Sequence, residues 1–223
     1  MTNINKSKIV AVLLAGGAAR RMGGGDKCLH YLAGKSLLEH VISKIKNQVD
    51  CMIINANGDP SRFSGFGLDV VGDVVPGQLG PLAGVLSGLD WAYEKKPQAK
   101  WVLSVPTDCP LLPFDLVERL MSAIVMKSEQ EKNLDSEKTH DSLWIGSCVA
   151  SGGRCHPVLA LWPINWRNQL RDALLNQGIK KIDLFTKSLP LAIAEFSVDP
   201  FDPFTNINTP ADLISTNKIL AKT

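Results

Sequence analysis

Short apolar runs alternate along the chain with segments whose apolar residues follow helical spacing. The first run, residues 9–15, is uniformly apolar and precedes Gly16, which is typical of a strand buried on both faces. Helical spacing follows from Leu37 to Ile45, with Ser36 as the predicted N-cap. Further strands are predicted at 51–55, 69–71, 101–105, 143–149, 158–162 and 191–196, and further helices at 81–91, 114–125, 169–175 and 210–220. This alternation predicts an α/β fold with a doubly wound, mostly parallel sheet and helices on both faces.

The length and composition are those of one ordinary globular domain. The chain has 223 residues, of which 45% are hydrophobic and 21% charged, so global disorder and fibrous repeats are disfavoured. The net charge of +2 is small for a protein that binds nucleic-acid phosphates. No apolar run reaches the roughly 18–20 residues that a membrane span needs. We therefore expect a single domain over residues 1–223, with neither nucleic acid nor membrane as a partner.

Cysteine usage bears on the cellular compartment. The five cysteines are odd in number and form no CxxC pair, so they fit neither a disulfide framework nor a zinc site. The apolar residues 9–15 leave a secretory signal peptide as an alternative, but Gly16-Gly17 followed by Arg20-Arg21 is a poor cleavage region. The sequence therefore predicts a reduced, cytoplasmic protein.

One segment has almost no apolar residues. Residues 127–141 read KSEQEKNLDSEKTHD, with three lysines and five acidic residues. This composition predicts a solvated, flexible loop, and residues 1–8 are expected to be flexible as well. A regulatory segment is the alternative for residues 127–141.

The loop after the first strand, residues 14–27, reads LAGGAARRMGGGDK and contains five glycines. Loops at the carboxyl ends of strands in a doubly wound sheet meet ligands, and glycine-rich backbone N–H groups suit an anion. Arg20, Arg21 and Lys27 add cations that can neutralise a triphosphate. A mobile glycine-rich turn with surface charges is the alternative. The position after an apolar strand, together with three cations, favours phosphate binding.

Two familiar nucleotide motifs do not fit this loop. A Walker A loop would need a glycine five residues before Gly34, where Leu29 stands instead. A dinucleotide fingerprint starting at Gly23 would need a glycine at Cys28. The loop therefore belongs neither to a P-loop nor to a standard NAD site.

Polar residues also mark the ends of later strands. The amide of Asn55 can donate and accept, which suits a purine edge or a ribose but equally a turn. The carboxylate of Asp73 could accept from the N1–H and N2–H₂ donors of guanine, or cap its loop. Asp108 follows the strand WVLSVP, where a carboxylate favours a Mg²⁺ site over a loop cap. Gly80 precedes a predicted helix whose free N–H groups suit a ligand.

Two blocks in the last third of the chain carry polar groups. Arg154 and His156 precede an apolar strand, and His156 by itself is more often structural than catalytic. Asn206 and Asn208 precede the last helix, for which Thr209 is the predicted N-cap.

The motif LAGGxxxRMGGxDK after the first strand closely resembles the nucleotidyltransferases that make the guanine dinucleotide form of the molybdenum cofactor. Its general form, LAGGxGxRM followed by a lysine, is similar to the wider nucleotide-diphospho-sugar transferase superfamily. Further shared blocks are IINAN, GPLAG, PTDCP, HP and NINTP. The resemblance covers about residues 9–213, with residues 127–141 clearly outside it. Cys28 departs from the glycine that members commonly carry, although a small residue is kept.

The resemblance implies transfer of GMP from GTP to the terminal phosphate of molybdopterin, with Mg²⁺ at the site and release of pyrophosphate. It implies that Asp108 holds the metal, and that Lys27 and Arg21 stabilise the α-phosphate and the departing pyrophosphate. The remaining implied contacts are Leu14, Ala15, Gly16, Gly17, Asn55, Asp73 and Gly80 for the nucleotide, and Arg154, His156, Asn206 and Asn208 for the acceptor.

Two other functions stay open from the residues alone. A cytidylyl- or uridylyltransferase acting on molybdopterin or on a sugar phosphate would share the scaffold. A non-catalytic GTP-binding module is the second alternative, against which Lys27 and Asp108 argue. The resemblance also implies transient contacts with other cofactor-biosynthesis proteins and with the molybdoenzymes that receive the product.

Overall fold

The computed structural model describes residues 8–17, 22–77, 79–134 and 145–221. Its strands are β1 (Ile9–Leu14), β2 (Tyr31–Leu32), β3 (Lys35–Ser36), β4 (Cys51–Asn55), β5 (Asp69–Val71), β6 (Trp101–Pro106), β7 (Gly146–Ser151), β8 (Arg154–Pro163) and β9 (Leu191–Phe196). Seven of them form one sheet in the order β5-β4-β1-β6-β8-β7-β9, and β2 pairs with β3 in a small hairpin. The first four strands in that order are mutually parallel, and β9 is parallel to β7. The predicted α/β fold with a mostly parallel sheet is confirmed.

Strand β8 runs against its neighbours β6 and β7. The turn between β7 and β8 is Gly152-Gly153, and both glycines have positive φ values, of 54° and 75°. A two-residue turn of this kind requires that conformation, which glycine adopts without strain. The apolar run of the sequence begins only at residue 158 and predicts the strand from there, because the polar start Arg154-Cys155-His156 carries no apolar run. Pairing with β7 extends the strand back to Arg154.

Helices cover both faces of the sheet, as predicted. They are α1 (Leu37–Ile45), α2 (Pro81–Lys95), α3 (Leu116–Leu134), α4 (Arg167–Leu175), α5 (Ile182–Thr186) and α6 (Pro210–Leu220). One core lies between the sheet and α1 with α3, and a second lies between the opposite face and α2, α4 and α5. Among the described residues, no helix combines the length and the apolar character that crossing a bilayer would take.

Two helices begin with a reciprocal capping box. The Ser36 hydroxyl accepts from the backbone N–H of Glu39, and the Glu39 carboxylate accepts from the backbone N–H of Ser36. Thr209 and Asp212 repeat this arrangement at the start of α6. Both caps satisfy N–H groups that a helix start leaves without partners, so Ser36 and Thr209 are the N-caps that the sequence predicted.

The structure corrects the prediction of a loop over residues 127–141. Helix α3 continues to Leu134, so the first half of this segment is helical. Lys127 and Glu131 form an i,i+4 ion pair of 3.2 Å, the kind of contact that supports a helix with few apolar residues. Residues 135–144 lie outside the described part of the chain. Lys8, the last residue of the N-terminal segment expected to be flexible, is held by a hydrogen bond, because its carbonyl accepts from the Lys100 backbone N–H at 2.8 Å.

Candidate active site

A cleft of about 680 Å³ opens where β1, β4 and β6 end. These strands are adjacent and parallel, so the loops that follow them meet at one edge of the sheet. The cleft is lined by most of the residues predicted for the nucleotide, namely Leu14, Gly16, Gly17, Lys27, Asn55, Asp73, Gly80 and Asp108. Ala15 lies buried beneath it and donates its N–H to Asn55 O at 2.9 Å. The predicted cation Arg21 lies outside the described residues, as does Arg20.

Lys27 and Asp108 form an ion pair in this cleft. Thr107, just after β6, donates its hydroxyl to Leu14 O at 3.0 Å, which ties the end of β6 to β1. On the glycine-rich loop, Lys27 donates its backbone N–H to Gly17 O at 3.1 Å. The Lys27 Nζ then lies 2.5 Å from Asp108 Oδ2, with the two side chains only 12% and 18% exposed. The cation predicted from the first loop and the carboxylate predicted from β6 are therefore direct partners.

The loop before α6 completes this cluster. Lys27 Nζ donates to Asn208 Oδ1 at 2.6 Å, and Asn206 Nδ2 donates to Asp108 Oδ2 at 3.2 Å. Between the two asparagines, Ile207 donates its backbone N–H to Asp108 O at 2.9 Å. Asn206 and Asn208, which were predicted for the acceptor, thus contact the residues predicted for the phosphates and the metal.

A second polar cluster lies at the ends of β4 and β5. Asn55, which is 6% exposed, donates from Nδ2 to Asp73 Oδ1 at 3.0 Å. Asn57 donates from Nδ2 to Asp73 Oδ2 at 2.8 Å, and its Oδ1 accepts from the Asp73 backbone N–H at 2.8 Å. Each carboxylate oxygen of Asp73 therefore has an amide partner, and each can accept further hydrogen bonds. The Asp73 carboxylate is therefore fixed in orientation by hydrogen bonds and is still able to accept from a ligand.

Asn57 belongs to this cluster but was not predicted as a site residue. The signal was available, because Asn57 lies two residues after Asn55 in the IINAN block. Side chains at i and i+2 of an extended segment point to the same face. A search for amides on one face of the strand exit would have found both.

Helix α2 lies close against the cleft because it carries glycine where it crosses the sheet. A Cβ on Gly84 would lie 2.2 Å from Asn55 Oδ1 and 2.6 Å from Leu14 Cδ2, and one on Gly88 would lie 2.8 Å from Val12. At such distances the neighbouring side chains, or the helix itself, would have to shift. Gly80 is the N-cap of α2 and lines the cleft, so the positive end of the helix dipole faces the ligand space.

Arg154 and His156 lie on the β7–β8 hairpin, outside the lining of the cleft. Ser151 Oγ lies 2.9 Å from His156 Nε2 and donates to Asp202 Oδ1 at 3.0 Å. Partial burial lowers the pKa of His156, and the nearby Asp202 opposes this by favouring the charged form. The hairpin extends past the end of β6, so both residues are at the correct edge of the sheet for an acceptor without contacting the Lys27–Asp108 pair.

The two cysteines nearest the cleft are not nucleophiles. Cys28 is 1% exposed in the core, and burial raises the pKa of its thiol to about 12. Burial, together with the adjacent Asp108, also raises the pKa of Cys109 well above its ordinary value. Both thiols therefore stay protonated at neutral pH. Because the Cys28 side chain points into the core, its departure from the family glycine leaves the cleft open.

The donor set suits a metal that is bound largely by substrate. Among the described residues there is no group of three or more His, Cys, Asp or Glu side chains that could hold a cation. Asp108 Oδ2 already contacts Lys27 and Asn206, whereas Oδ1 has a weak contact of 3.7 Å with the Cys109 thiol. A hard divalent cation that takes one carboxylate plus phosphate oxygens and water fits this arrangement.

A further hollow of about 600 Å³ lies on another part of the surface, beside the end of α2 and the start of α4. Its lining includes Lys96, Lys100 and Arg167 but no carboxylate side chain. It is remote from the strand ends where a doubly wound sheet binds ligands. We therefore assign the chemistry to the cleft that contains Lys27 and Asp108.

Comparison with known proteins identifies the family. Residues 11–188 match the family model of the MobA-like NTP transferase domain. The molybdenum cofactor guanylyltransferase of Rhodopseudomonas palustris (strain BisB5) is 51% identical over 94% of this chain and 92% of its own. The enzyme of the same name from Bradyrhizobium sp. (strain ORS 278) is 45% identical over 99% of this chain and 97% of its own.

A solved structure supports the fold. The crystal structure of molybdopterin-guanine dinucleotide biosynthesis protein A from Archaeoglobus fulgidus superposes with a TM-score of 0.64 at 22% identity, over 96% of this chain and 100% of that one. The identity is low, so this similarity concerns the fold alone. Together with the sequence matches, it places the cleft on a nucleotidyltransferase scaffold. The chain is a nucleotidyltransferase and belongs to the molybdenum cofactor guanylyltransferase family.

Proposed function

We propose that the cleft transfers GMP from GTP to the terminal phosphate of molybdopterin and releases pyrophosphate. The observation that carries this proposal is the arrangement of two clusters in one cleft, Asp73 with its amides at one end and Lys27 with Asp108 at the other. One end offers a carboxylate to the base, and the other offers a cation and a metal-ligating carboxylate to the phosphates. The names of the relatives, which are guanylyltransferases, support the choice of nucleotide and acceptor.

At the base end, Asp73 accepts the donors of guanine. Guanine presents N1–H and N2–H₂ side by side, whereas cytosine and adenine do not offer this pair. A carboxylate held by Asn55 and Asn57 can accept both. An incorrect base would leave the carboxylate desolvated and without partners, which is costly.

At the phosphate end, Lys27 acts on the triphosphate. An ammonium group has three donors, and Asp108 and Asn208 use two of them. The third is free to donate to a phosphate oxygen of the nucleotide. As the bond between the α-phosphorus and its bridging oxygen breaks, charge accumulates on the departing pyrophosphate, and Lys27 stabilises it electrostatically. Arg21, on the same loop, is proposed to act with it.

Asp108 would hold the divalent cation, which we propose is Mg²⁺. When bound, the cation would neutralise charge on the phosphates and favour the alignment of the reacting groups. The chain's own contribution is to hold Asp108 in place: the Asn206 amide donates to its carboxylate, and the backbone N–H of Ile207 donates to its backbone carbonyl.

The acceptor phosphate needs no general base. A phosphate monoester is largely ionised at neutral pH, because its second pKa is about 6. Its oxygen forms the new bond to the α-phosphorus directly, so the protein has only to align two anions and offset their repulsion. We propose that Asn206, Asn208, Arg154 and His156 provide the acceptor side. The protein is proposed to act in the cytoplasm, with transient contacts to other cofactor-biosynthesis proteins and recipient molybdoenzymes.

A nucleotide panel tests this function. The purified protein is mixed with Mg²⁺ and GTP, CTP, UTP or ATP, and its melting temperature is measured before pyrophosphate release is followed with molybdopterin. We expect the largest stabilisation by GTP, and pyrophosphate release that needs both GTP and molybdopterin. A preference for CTP or UTP would make the chain a different nucleotidyltransferase. GTP binding without pyrophosphate release would make it a binding module.

A further inference from the structure

Arg62 connects the two loops that flank the cleft. It lies after β4 in the 3-10 segment Pro60–Phe66 and is half-buried. Its Nε lies 2.6 Å from Asp26 Oδ2 on the glycine-rich loop. The Nε–H does not point along this contact, so it is an ion pair rather than a hydrogen bond. On the other side, Arg62 Nη2 donates to Asn57 O at 2.5 Å.

The local sequence holds the guanidinium in this place. Arg62 Nη1 donates to Asp59 O, and Cζ lies 4.8 Å from the centre of the Phe63 ring. Phe63 is fully buried in the core, so its ring is a fixed support. Gly58 has φ +86°, and a Cβ there would lie 3.2 Å from Nη1. The segment is therefore built around the planar guanidinium, which can contact several acceptors at once.

The contact with Asp26 has an electrostatic consequence for the cleft. Asp26 immediately precedes Lys27, on the loop proposed to bind a triphosphate. An unpaired carboxylate at that position would repel the phosphates and compete for the Lys27 ammonium. The guanidinium neutralises the Asp26 charge.

The contact with Asn57 has a geometric consequence. The Asn57 side chain makes two hydrogen bonds to Asp73, one to the carboxylate and one from the backbone N–H. Asn57 itself is exposed and follows the end of β4, where no strand pairing holds it. By binding the Asn57 carbonyl, Arg62 fixes the backbone from which Asp73 is held.

We propose that Arg62 is a positioning residue that joins the phosphate-binding loop to the base-binding loop, through Asp26 on one side and Asn57 on the other. This inference rests on the proposed function, because it takes GTP as the ligand of the cleft. It assigns Arg62 two separable effects. Neutralising Asp26 raises affinity for the triphosphate of any nucleotide, and holding Asn57 raises the preference for guanine over bases without the N2 amino group.

Binding measurements on four variants separate the two effects. Dissociation constants for GTP and for ITP, which lacks the N2 amino group, are measured by calorimetry for Arg62→Met, Arg62→Lys, Asp26→Asn and the double variant Arg62→Met/Asp26→Asn. We expect Arg62→Met to weaken GTP binding about tenfold, as coupled partners in contact commonly do. In the double variant, removing the Asp26 charge should restore most of the affinity, while the preference for GTP over ITP stays reduced.

Arg62→Lys gives the complementary pattern. Lysine keeps the positive charge near Asp26, but its single ammonium group cannot contact Asn57 and Asp26 together as the guanidinium does. We expect near-normal GTP affinity with a reduced GTP-over-ITP preference. Arg119→Met is the matched control, because Arg119 also lies over a phenylalanine ring and donates to a backbone carbonyl, but beside β9, at the opposite edge of the sheet from β5. We expect Arg119→Met to keep both the GTP affinity and the GTP-over-ITP preference of the unchanged protein.

A purely structural role would give a different result. Arg62→Met would then lower the melting temperature, and the added Asp26→Asn change would not restore GTP affinity. Unchanged GTP affinity and GTP-over-ITP preference in Arg62→Met, or no rescue by Asp26→Asn, would overturn the inference. If Arg62→Met does not fold, the test is the ratio of GTP to ITP affinity in Arg62→Lys. A reduced ratio supports the inference, and an unchanged ratio overturns it. All these readings are taken without molybdopterin, so a failure of the transfer reaction would overturn the proposed function and leave this test valid.

Discussion

Two aspartates at the carboxyl ends of β5 and β6, which β4 and β1 separate in the sheet, have opposite electrostatic surroundings. Asp73 follows β5 and is held by the neutral amides of Asn55 and Asn57. Asp108 follows β6 and is paired with the Lys27 ammonium at 2.5 Å. Both carboxylates line the same cleft. Two aspartates that each follow a strand therefore have different partners, and we expect them to bind different parts of a ligand.

The two carboxylates differ in whether a nearby cation compensates their negative charge. Amide partners fix the orientation of Asp73 but leave its negative charge uncompensated, so it favours a ligand with N–H donors. The charge of Asp108 is compensated by Lys27, so the pair is close to neutral before the ligand arrives. We propose that a triphosphate would accept from the remaining donor of Lys27 and that Asp108 would hold the divalent cation. We propose that the Asp73 end of the cleft selects the base and that the Lys27–Asp108 end carries out the reaction.

The largest effect is expected from Asp108→Asn. The amide keeps the shape and can still contact Asn206, but it removes the negative charge that a metal requires. We expect the rate of pyrophosphate release to fall on the order of 10³-fold at saturating GTP and Mg²⁺, since metal and preorganised charge each contribute several kcal/mol. Asp115→Asn, at an exposed position before α3, is the control. Near-normal turnover in Asp108→Asn would remove this residue from the mechanism.

Lys27→Met is expected to reduce kcat on the order of 10²-fold, with a smaller change in the dissociation constant of GTP. The physical reason is that the charge on the leaving pyrophosphate grows during the reaction, so the cation stabilises the transition state more than the bound substrate. Lys27→Arg should rescue only in part, because the wider guanidinium cannot occupy the point between Asp108 and Asn208. Single-turnover kinetics and GTP titration of Lys27→Met and Lys27→Arg check these expectations, and Lys35→Met on β3 is the control. An equal loss in kcat and in affinity would show ordinary substrate binding instead.

Asp73→Asn should affect binding rather than chemistry. Hydrogen bonds to a charged acceptor contribute about 1.5–3 kcal/mol, so we expect GTP affinity to fall on the order of tenfold or more. The preference for GTP over ITP should fall with it, while kcat at saturation changes only a few-fold. Asp69→Asn, at the exposed start of β5, is the control. If selectivity for guanine survives in Asp73→Asn, the base is recognised by other groups.

The smallest kinetic effect is expected from Gly84→Ala. The added Cβ would meet Asn55 Oδ1 and Leu14 Cδ2, so these side chains or α2 have to shift, at a cost of about 1–3 kcal/mol in the free energy of unfolding. Because Asn55 holds Asp73, GTP affinity should fall modestly while kcat stays nearly unchanged. Gly65→Ala is the matched control, since a Cβ there meets nothing within 4 Å. Thermal unfolding together with GTP titration measures both consequences, and a stable variant would show that α2 has room to adjust.

Much of the fold follows from local rules in the sequence. The continuous apolar runs of β1 and β6, and the capping boxes of α1 and α6, depend on residues close in sequence. The failures also have local causes. Polar residues 127–134 join α3 because an i,i+4 ion pair and continuation of an established helix outweigh their composition. The start of β8 is polar, and it became a strand through pairing with β7.

The sequence predicted most residues of the candidate site, but it did not predict which of them contact one another. Lys27, Asp73 and Asp108 each follow a strand, and a doubly wound sheet gathers such positions at one edge. Arg62 had no such signal, because it follows no strand exit and belongs to no quoted block. Its contacts with Asp26 and Asn57 emerge only when two loops are placed side by side.

The sequence by itself determined most of the elements of the main sheet and its helices, the loops that line the cleft and the family to which the chain belongs. Those features depend on residue order, on hydrophobic spacing and on motifs of adjacent residues. The tertiary structure decided which side chain pairs with which, because Lys27 lies 81 positions from Asp108 and 181 from Asn208. Placing β1 between β4 and β6 brings such distant residues within hydrogen-bond distance, and that placement depends on packing of the whole sheet against its helices. The separation of the Asp73 cluster from the Lys27–Asp108 cluster within one cleft is therefore a property of the fold.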